Sequence, residues 1–205
     1  FSNIWPISFF SFEDLRLFFS LVLIAISCII MGAGIPTTAT YIILVAVAAP
    51  ALAQLGIEPL VAHFFVFYYG VLADITPPVA LAAYAASGIA KSNPFKTGNT
   101  AFRLGIAKAL VPFVFVYSPS ILLITGEFQT NELILTLTGT LIGIALIGIA
   151  FSGYWFRPLK KYEQFVIGSG SLFFVAPGTG SMIIGLLIIL PMFFLQFYKR
   201  LTPRP

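Results

Sequence analysis

The chain has 205 residues, of which 59% are hydrophobic and only 9% charged, with a mean hydropathy of +1.02. A soluble domain is nearer a quarter charged, so the solvent of this chain is lipid or other membrane helices. The net charge of +4 reports membrane topology rather than nucleic-acid binding, and a single cysteine, Cys28, excludes a disulfide framework or a cysteine metal site.

At about 20 residues per crossing, the chain holds several spans with short loops. It opens at Phe1 with no initiator methionine and no basic signal peptide, so the expectation is the C-terminal part of a longer polypeptide. Residues 1–14 read as an aromatic interfacial lead-in, with Trp5, Phe9, Phe10 and Phe12 ahead of Glu13-Asp14. Residues 15–31 and 39–55 are apolar helices separated by Gly32-Ala33-Gly34-Ile35-Pro36-Thr37-Thr38. One straight helix of that length would run about 60 Å, twice the hydrocarbon core. Residues 15–58 therefore fold back as a helical hairpin with both ends on one side. Glu58-Pro59 suits a helix start, with proline in the first turn and an acid at the positive end of the dipole. Residues 60–73 and 79–90 are each too short to cross alone. Joined through Asp74-Ile75-Thr76-Pro77-Pro78, residues 59–90 make one discontinuous transmembrane helix.

Lys91, Lys96, Arg103 and Lys108 follow without an intervening acid, around a turn at Ser92-Asn93-Pro94. Residues 91–125 read as a basic interfacial helix over 97–108 leading into an apolar span punctuated by Pro112 and Pro119. Residues 126–205 hold the C-terminal transmembrane helices. An acidic loop at 126–132 precedes a plain span at 133–151 and the basic loop Arg157-Pro158-Leu159-Lys160-Lys161. A final pair, 165–175 and 181–198, surrounds Ala176-Pro177-Gly178-Thr179-Gly180, crossing twice or dipping in and returning, and the chain ends basic at Lys199, Arg200 and Arg204. The positive-inside rule sends the three basic clusters to the cytoplasm and the 126–132 loop outside, so the hairpin opens outward. The fold class is all-α integral membrane.

A helix broken in mid-membrane leaves peptide groups unpaired, which is tolerated only where they face protein or a cavity. Paired breaks point to the binding site of a secondary transporter. In the first break Gly32 and Gly34 free the backbone and Pro36 suits the start of the returning helix. Thr37 and Thr38 cap that helix or coordinate a cation, and its N-terminus favours an anion. A tight turn with capping threonines is the plainer alternative. In the second break Pro77 and Pro78 remove two amide donors, which leaves carbonyls at 71–76 available to a hard cation, with Thr76 adding a hydroxyl. A proline kink is the structural alternative there. Asp74 is the sole acid inside an apolar span, and it carries a coupling proton, ligates sodium, or pairs with a base.

His63 is the only histidine. Without a second ligand it reads as a hydrogen-bonded interhelical residue rather than a metal site. Tyr68, Tyr69 and Tyr84 line a cavity or pack, and Arg103 and Lys108 read as topology determinants. Cys28 reads as a small core or lipid-facing residue. Gly168-Ser169-Gly170 and Pro177-Gly178-Thr179-Gly180 look like a smaller pair of breaks.

Four stretches carry a family resemblance: Met31-Gly32-Ala33-Gly34-Ile35-Pro36-Thr37-Thr38-Ala39-Thr40-Tyr41, Ala62-His63-Phe64-Phe65-Val66-Phe67-Tyr68-Tyr69, Ala73-Asp74-Ile75-Thr76-Pro77-Pro78-Val79-Ala80 and Ala86-Ser87-Gly88-Ile89-Ala90. Together they resemble the large membrane subunit of the tripartite ATP-independent periplasmic (TRAP) transporters. The second stretch and the tail after residue 105 are most similar to the fused permeases of the TAXI subfamily. The resemblance covers residues 15–125 and is looser beyond. It implies two inverted repeats, each with a re-entrant hairpin and a broken helix, working as an elevator, with this chain similar to the second. It also implies an extracytoplasmic binding protein that delivers organic acids. The sodium site it implies uses a glycine of the hairpin tip, Gly32 or Gly34, with backbone or hydroxyl oxygens of Ala73, Thr76 and Val79. Ala73 and Val79 depart from branches that carry glycine and methionine, and Asp74 brings in proton coupling as the alternative.

The expected function is the permease component of a secondary active transporter importing small organic acids on a sodium or proton gradient. No catalytic residue, no cofactor, no metal beyond sodium and no nucleic acid are expected. The ion site is expected at Gly32, Gly34, Ala73, Asp74, Thr76 and Val79, with Pro36, Thr37, Thr38 and Pro77 on the substrate side. The partners would be the binding protein, an N-terminal repeat and a small membrane subunit, in a bacterial or archaeal inner membrane. An intramembrane enzyme is the first rival, and Thr76 beside Asp74 without a nearby histidine is a poor nucleophile pair for it. The second is a non-catalytic assembly subunit, in which the breaks would tolerate leucine.

Overall fold

A computed structural model describes residues 12–123, 130–176 and 178–201, and every regular element among them is helical. Residues 1–11 of the lead-in, 126–129 of the acidic loop, Pro177 and Arg204 lie outside the described residues. The helices are α1 (Phe12–Gly32), α2 (Thr37–Gln54), α3 (Pro59–Ala73), α4 (Leu81–Ile89), α5 (Pro94–Gly105), α6 (Val111–Tyr117), α7 (Thr130–Ser152), α8 (Lys161–Val175) and α9 (Thr179–Leu201). Short 3-10 turns at Ile106–Leu110 and Pro119–Leu122 flank α6. Among the described residues, five segments are long and apolar enough to cross a membrane: Leu15–Gly32, Thr37–Gln54, Pro94–Tyr117, Thr130–Ser152 and Thr179–Tyr198. The chain is an all-α, multi-pass integral membrane protein.

Helices α1, α2, α3 and α6 share one core. On α1 the buried residues Leu21, Ala25 and Cys28 recur at helical spacing, and on α2 Thr40, Leu44, Ala48 and Leu52 fall every fourth residue. Leu23, Ile26 and Ile30 of α1 and Ile42, Ile43 and Val47 of α2 are exposed. A narrow buried stripe with an apolar outside is what a lipid-facing helix needs. The buried face of α3 is wider, including Val61, Ala62, Phe65, Val66, Tyr69 and Ala73, because it packs against both arms of the hairpin. Cys28 belongs to this core.

Local stop and start signals place the turns. Gly56, at φ +78, ends α2 as the left-handed residue of a Schellman cap, with the Ile57 amide donating to the Leu52 carbonyl at 3.2 Å. Glu58 is the N-cap of α3 and Pro59 its first helical residue, as expected. Asn93 caps α5 by accepting from the Lys96 amide at 3.1 Å. Two boundaries differ from the sequence reading. Residues 12–14 are already helical in α1. The basic segment and the following span are joined through the Ile106–Leu110 turn, and α6 stops at Tyr117, two residues before Pro119.

Helices α7, α8 and α9 form a second cluster around Leu146, Ala150, Ile167, Phe174, Ile189 and Met192. Small residues let their backbones approach. A Cβ on Gly139 would lie 2.6 Å from the Phe174 carbonyl oxygen, and one on Gly143 would lie 3.1 Å from that of Ser171. Arg103 ties α5 to α7 by donating from Nη2 to the Phe151 carbonyl at 2.9 Å. That carbonyl lies in the last turn of α7, where free acceptors and negative dipole charge favour a cation.

Because the Gly139 neighbour is backbone, Gly139→Val must separate α7 from α8 and cost about 1–3 kcal/mol. Gly148→Ala, with nothing within 4 Å of the added carbon, leaves stability unchanged or slightly raised. Thermal unfolding in detergent micelles measures both.

Candidate functional site

The two breaks meet. A Cβ on Gly32 would lie 3.0 Å from the Ala73 Cβ, 3.0 Å from the Thr40 Cγ2 and 3.4 Å from the Gly70 carbonyl oxygen. The hairpin tip therefore rests closely on the last turn of α3, with little room for a side chain at Gly32. Gly34, at φ +85, turns the chain back, and a Cβ there would stand 3.6 Å from the Val79 Cγ1 beyond the second break. Gly32, Gly34, Ala73 and Val79 thus come from opposite breaks to one place.

The first break closes on its own backbone. Ile35 donates to the Gly32 carbonyl at 3.4 Å, and the buried Thr40 hydroxyl donates to the Ile35 carbonyl at 3.1 Å. Pro36 is the N-cap residue of α2, one position earlier than a first-turn proline, and no side chain caps that end. Thr37 and Thr38 are therefore not caps. They stand exposed in the first turn of α2, where amides lack intrahelical partners.

The second break is a compact loop. Asp74 is the C-cap residue of α3. The amides of Asp74, Ile75 and Thr76 donate to the carbonyls of Val71, Leu72 and Ala73 at 3.3, 3.2 and 3.1 Å. Across the loop Ala80 donates to Thr76 and Ala82 to Asp74, both at 3.1 Å. Five of the carbonyls at 71–76 are thus already acceptors, and Leu72 accepts twice. The Thr76 hydroxyl donates to Leu72 at 2.7 Å, which turns its own lone pairs away from that carbonyl. The Pro77–Pro78 bond is cis, and Ala80 is left-handed at φ +38. Two neighbours back the loop. Tyr84 donates its hydroxyl to the Pro78 carbonyl at 2.7 Å, and Ile75 sits so close over Gly105 of α5 that no methyl fits between them.

The Asp74 carboxylate is partly exposed, and no described residue forms an ion pair or hydrogen bond with it. Pairing with a base, one of the three roles open to it in the sequence, is not realised among the described residues. His63 is the interhelical histidine expected: its Nδ1 lies 2.8 Å from the Tyr41 hydroxyl across the α2–α3 contact. Tyr69 packs and donates to the Ala109 carbonyl at 2.5 Å, while Tyr68 packs edge-on against Phe115. No group of three or more potential metal-ligating His, Cys, Asp or Glu side chains occurs among the described residues.

One charged centre escaped the sequence reading. Glu163 is 1% exposed in the first turn of α8. It accepts from Arg157 Nη2 at 2.6 Å, from the Lys160 amide at 2.9 Å and from Gln196 Nε2 of α9 at 3.0 Å. An acid three residues after a helix start is a capping signal legible in sequence. The Gln196 partner is not.

A family model described as Tripartite ATP-independent periplasmic transporter, DctM component, matches residues 10–130, which include both breaks. No curated protein and no solved structure matches the chain.

The tip contact makes different demands at its two glycines. Gly32→Val collides with Ala73 and Thr40, whereas Gly34→Ala meets no close atom and costs only backbone strain, about 1–2 kcal/mol. Asparagine tolerates the left-handed region better, so Gly34→Asn falls nearer the parent. Melting temperatures should rank parent, Gly34→Asn, Gly34→Ala, then Gly32→Val. A Gly32→Val protein as stable as the parent would contradict the tip contact.

Proposed function

The chain belongs to the DctM component family of the tripartite ATP-independent periplasmic transporters, and from that premise we propose that it holds one coupling-ion site and half of the substrate site for importing small organic acids. Membership makes it a membrane permease component and implies association with a binding protein and a small membrane subunit. The observation that carries the finer reading is the meeting of the breaks, with Gly32 against Ala73 and Gly34 against Val79. Sodium prefers several oxygens at close range, and helix ends that converge within a membrane supply them from the main chain. In this reading Gly32, Gly34, Ala73 and Val79 offer carbonyls, Thr76 a hydroxyl oxygen and Asp74 the negative charge. Pro36, Thr37, Thr38 and Pro77 face the substrate, whose carboxylate is drawn to the open N-terminus of α2. The hairpin enters from outside and returns there, as a re-entrant element. An N-terminal repeat supplies the other half of the substrate pocket.

Coupling by sodium gives the site a neutral balance, one cation against Asp74. Coupling by a proton uses Asp74 alone, and its unpaired carboxylate supports that second reading. Thr76 separates the two, because a proton has no need of its hydroxyl. An intramembrane enzyme finds little support: the imidazole of His63 is bonded to Tyr41, and Thr76 donates to Leu72.

Sodium binding at a hundred times its dissociation constant stabilises the folded protein by about 2.7 kcal/mol. The purified protein should therefore melt higher in sodium than in potassium, and Thr76→Ala should abolish the difference. In reconstituted vesicles Thr76→Ala combined with Asp74→Asn should abolish gradient-driven uptake. Full uptake by that double variant refutes the site. A proton-coupled site instead leaves Thr76→Ala active and Asp74→Asn inactive.

A further inference from the structure

A second polar centre lies on the flank of the hairpin, apart from the breaks. His63 stands in the first turns of α3 and Tyr41 in the first turns of α2, with the hydroxyl 2.8 Å from Nδ1. Leu60, Phe64 and Phe67 complete the walls of an open cavity of about 370 Å³. These three side chains are 44%, 37% and 43% exposed, so the cavity is accessible from outside this chain. Phe67 meets the Tyr41 ring edge-on at 5.8 Å and fixes that wall.

The chemistry of the lining selects its ligand. With the Tyr41 hydroxyl donating to Nδ1, a neutral imidazole carries its proton on Nε2. No described residue accepts from that N–H. The lining contains no acid, so a cation finds no counter-charge there. An anion finds a donor and the positive edges of aromatic rings. An ionisable ring in a membrane-spanning helix ordinarily faces protein or water rather than lipid. Tyr41 also lies four residues beyond Thr37, on the same face of α2.

We propose that this cavity binds the carboxylate of a small organic acid with an apolar body, as a station on the flank of the hairpin. One carboxylate oxygen accepts from His63 Nε2–H, and the hydrocarbon part lies against Leu60, Phe64 and Phe67. Tyr41 is a positioning residue that holds the ring in the donating tautomer. The station deepens the transport reading and rests on it for its biological meaning. Its binding chemistry does not depend on ion coupling.

Nitrogen NMR of the full-length protein, labelled with 15N-histidine in lipid nanodiscs, reads the site directly. Loss of one ring signal in His63→Gln assigns the resonance. Potassium hexanoate should shift the Nε2 signal saturably, acetate at least tenfold more weakly, and potassium chloride not at all. At about 0.8 kcal/mol per buried CH₂, the lost hydrocarbon accounts for that ratio. Phe67→Ala should weaken hexanoate several-fold, and its exposed side chain makes the variant a fair test of binding rather than folding. Lipid is present throughout, so an unchanged signal on adding acid means that lipid or nothing occupies the cavity, and it overturns the proposal. Equal shifts from hexanol and hexanoate, or full hexanoate affinity in Phe67→Ala, overturn it as well. A hexanoate shift without any sodium-specific stabilisation leaves this station standing and removes the sodium reading.

Discussion

The contact between Gly32 and the last turn of α3 is the joint on which the site depends. Peptide groups freed in a membrane need partners from protein, because the hydrocarbon offers none. Here each broken segment pairs most of its own peptide groups, and the two pack against each other at Gly32, where a side chain would press on Ala73 and Thr40. The neighbours of that joint serve it. Gly70 gives Thr40 and Leu44 room to bring α2 down onto α3, and Thr40 holds Ile35 in the turn. Tyr84 and Ile75 pin the second break from the other side.

Much of this was legible in the residues. Both breaks, the hairpin, the start of α3 at Pro59 and the interhelical bond of His63 follow from local rules about proline, glycine, capping and polar groups in apolar spans. What stayed hidden needs tertiary placement. Gln196 reaches Glu163 from 33 positions away, and Arg103 reaches Phe151 across 48. Both pairs lie at helix ends, where charged residues in a membrane protein read as topology signals. Thr37 and Thr38 carry the composition of caps, yet Pro36 takes the N-cap position and leaves them exposed. The carbonyls before Pro77 were expected to be free, because proline removes donors from the regular ladder. The loop recovers partners for most of them, drawing on Ala80 and Ala82 from beyond the break.

The chain is built as two packed groups with different internal chemistry. The family match covers nearly the whole of the first, and that group keeps its polar atoms at the breaks and on the His63 flank. The second, α7 to α9, centres its buried charge on one ion pair near the start of α8. Such a pair contributes little net stability against apolar residues of the same volume, but half of it alone would be costly. Its geometric effect is to set α9 against α8 through Gln196.

The glycine-lined contacts also bear on how such a chain tolerates sequence drift. In a water-soluble core the costly direction is from large to small, which opens a cavity. Here the outside is as apolar as the inside, and a Cβ added at Gly139 or Gly143 would meet a carbonyl oxygen of the neighbouring helix at 2.6 or 3.1 Å. The costly direction is reversed. Exchanges among leucine, isoleucine and phenylalanine on the exposed faces alter little beyond lipid contact, whereas a single added methyl at a contact glycine displaces a helix. Drift in this chain is therefore bounded by its smallest residues.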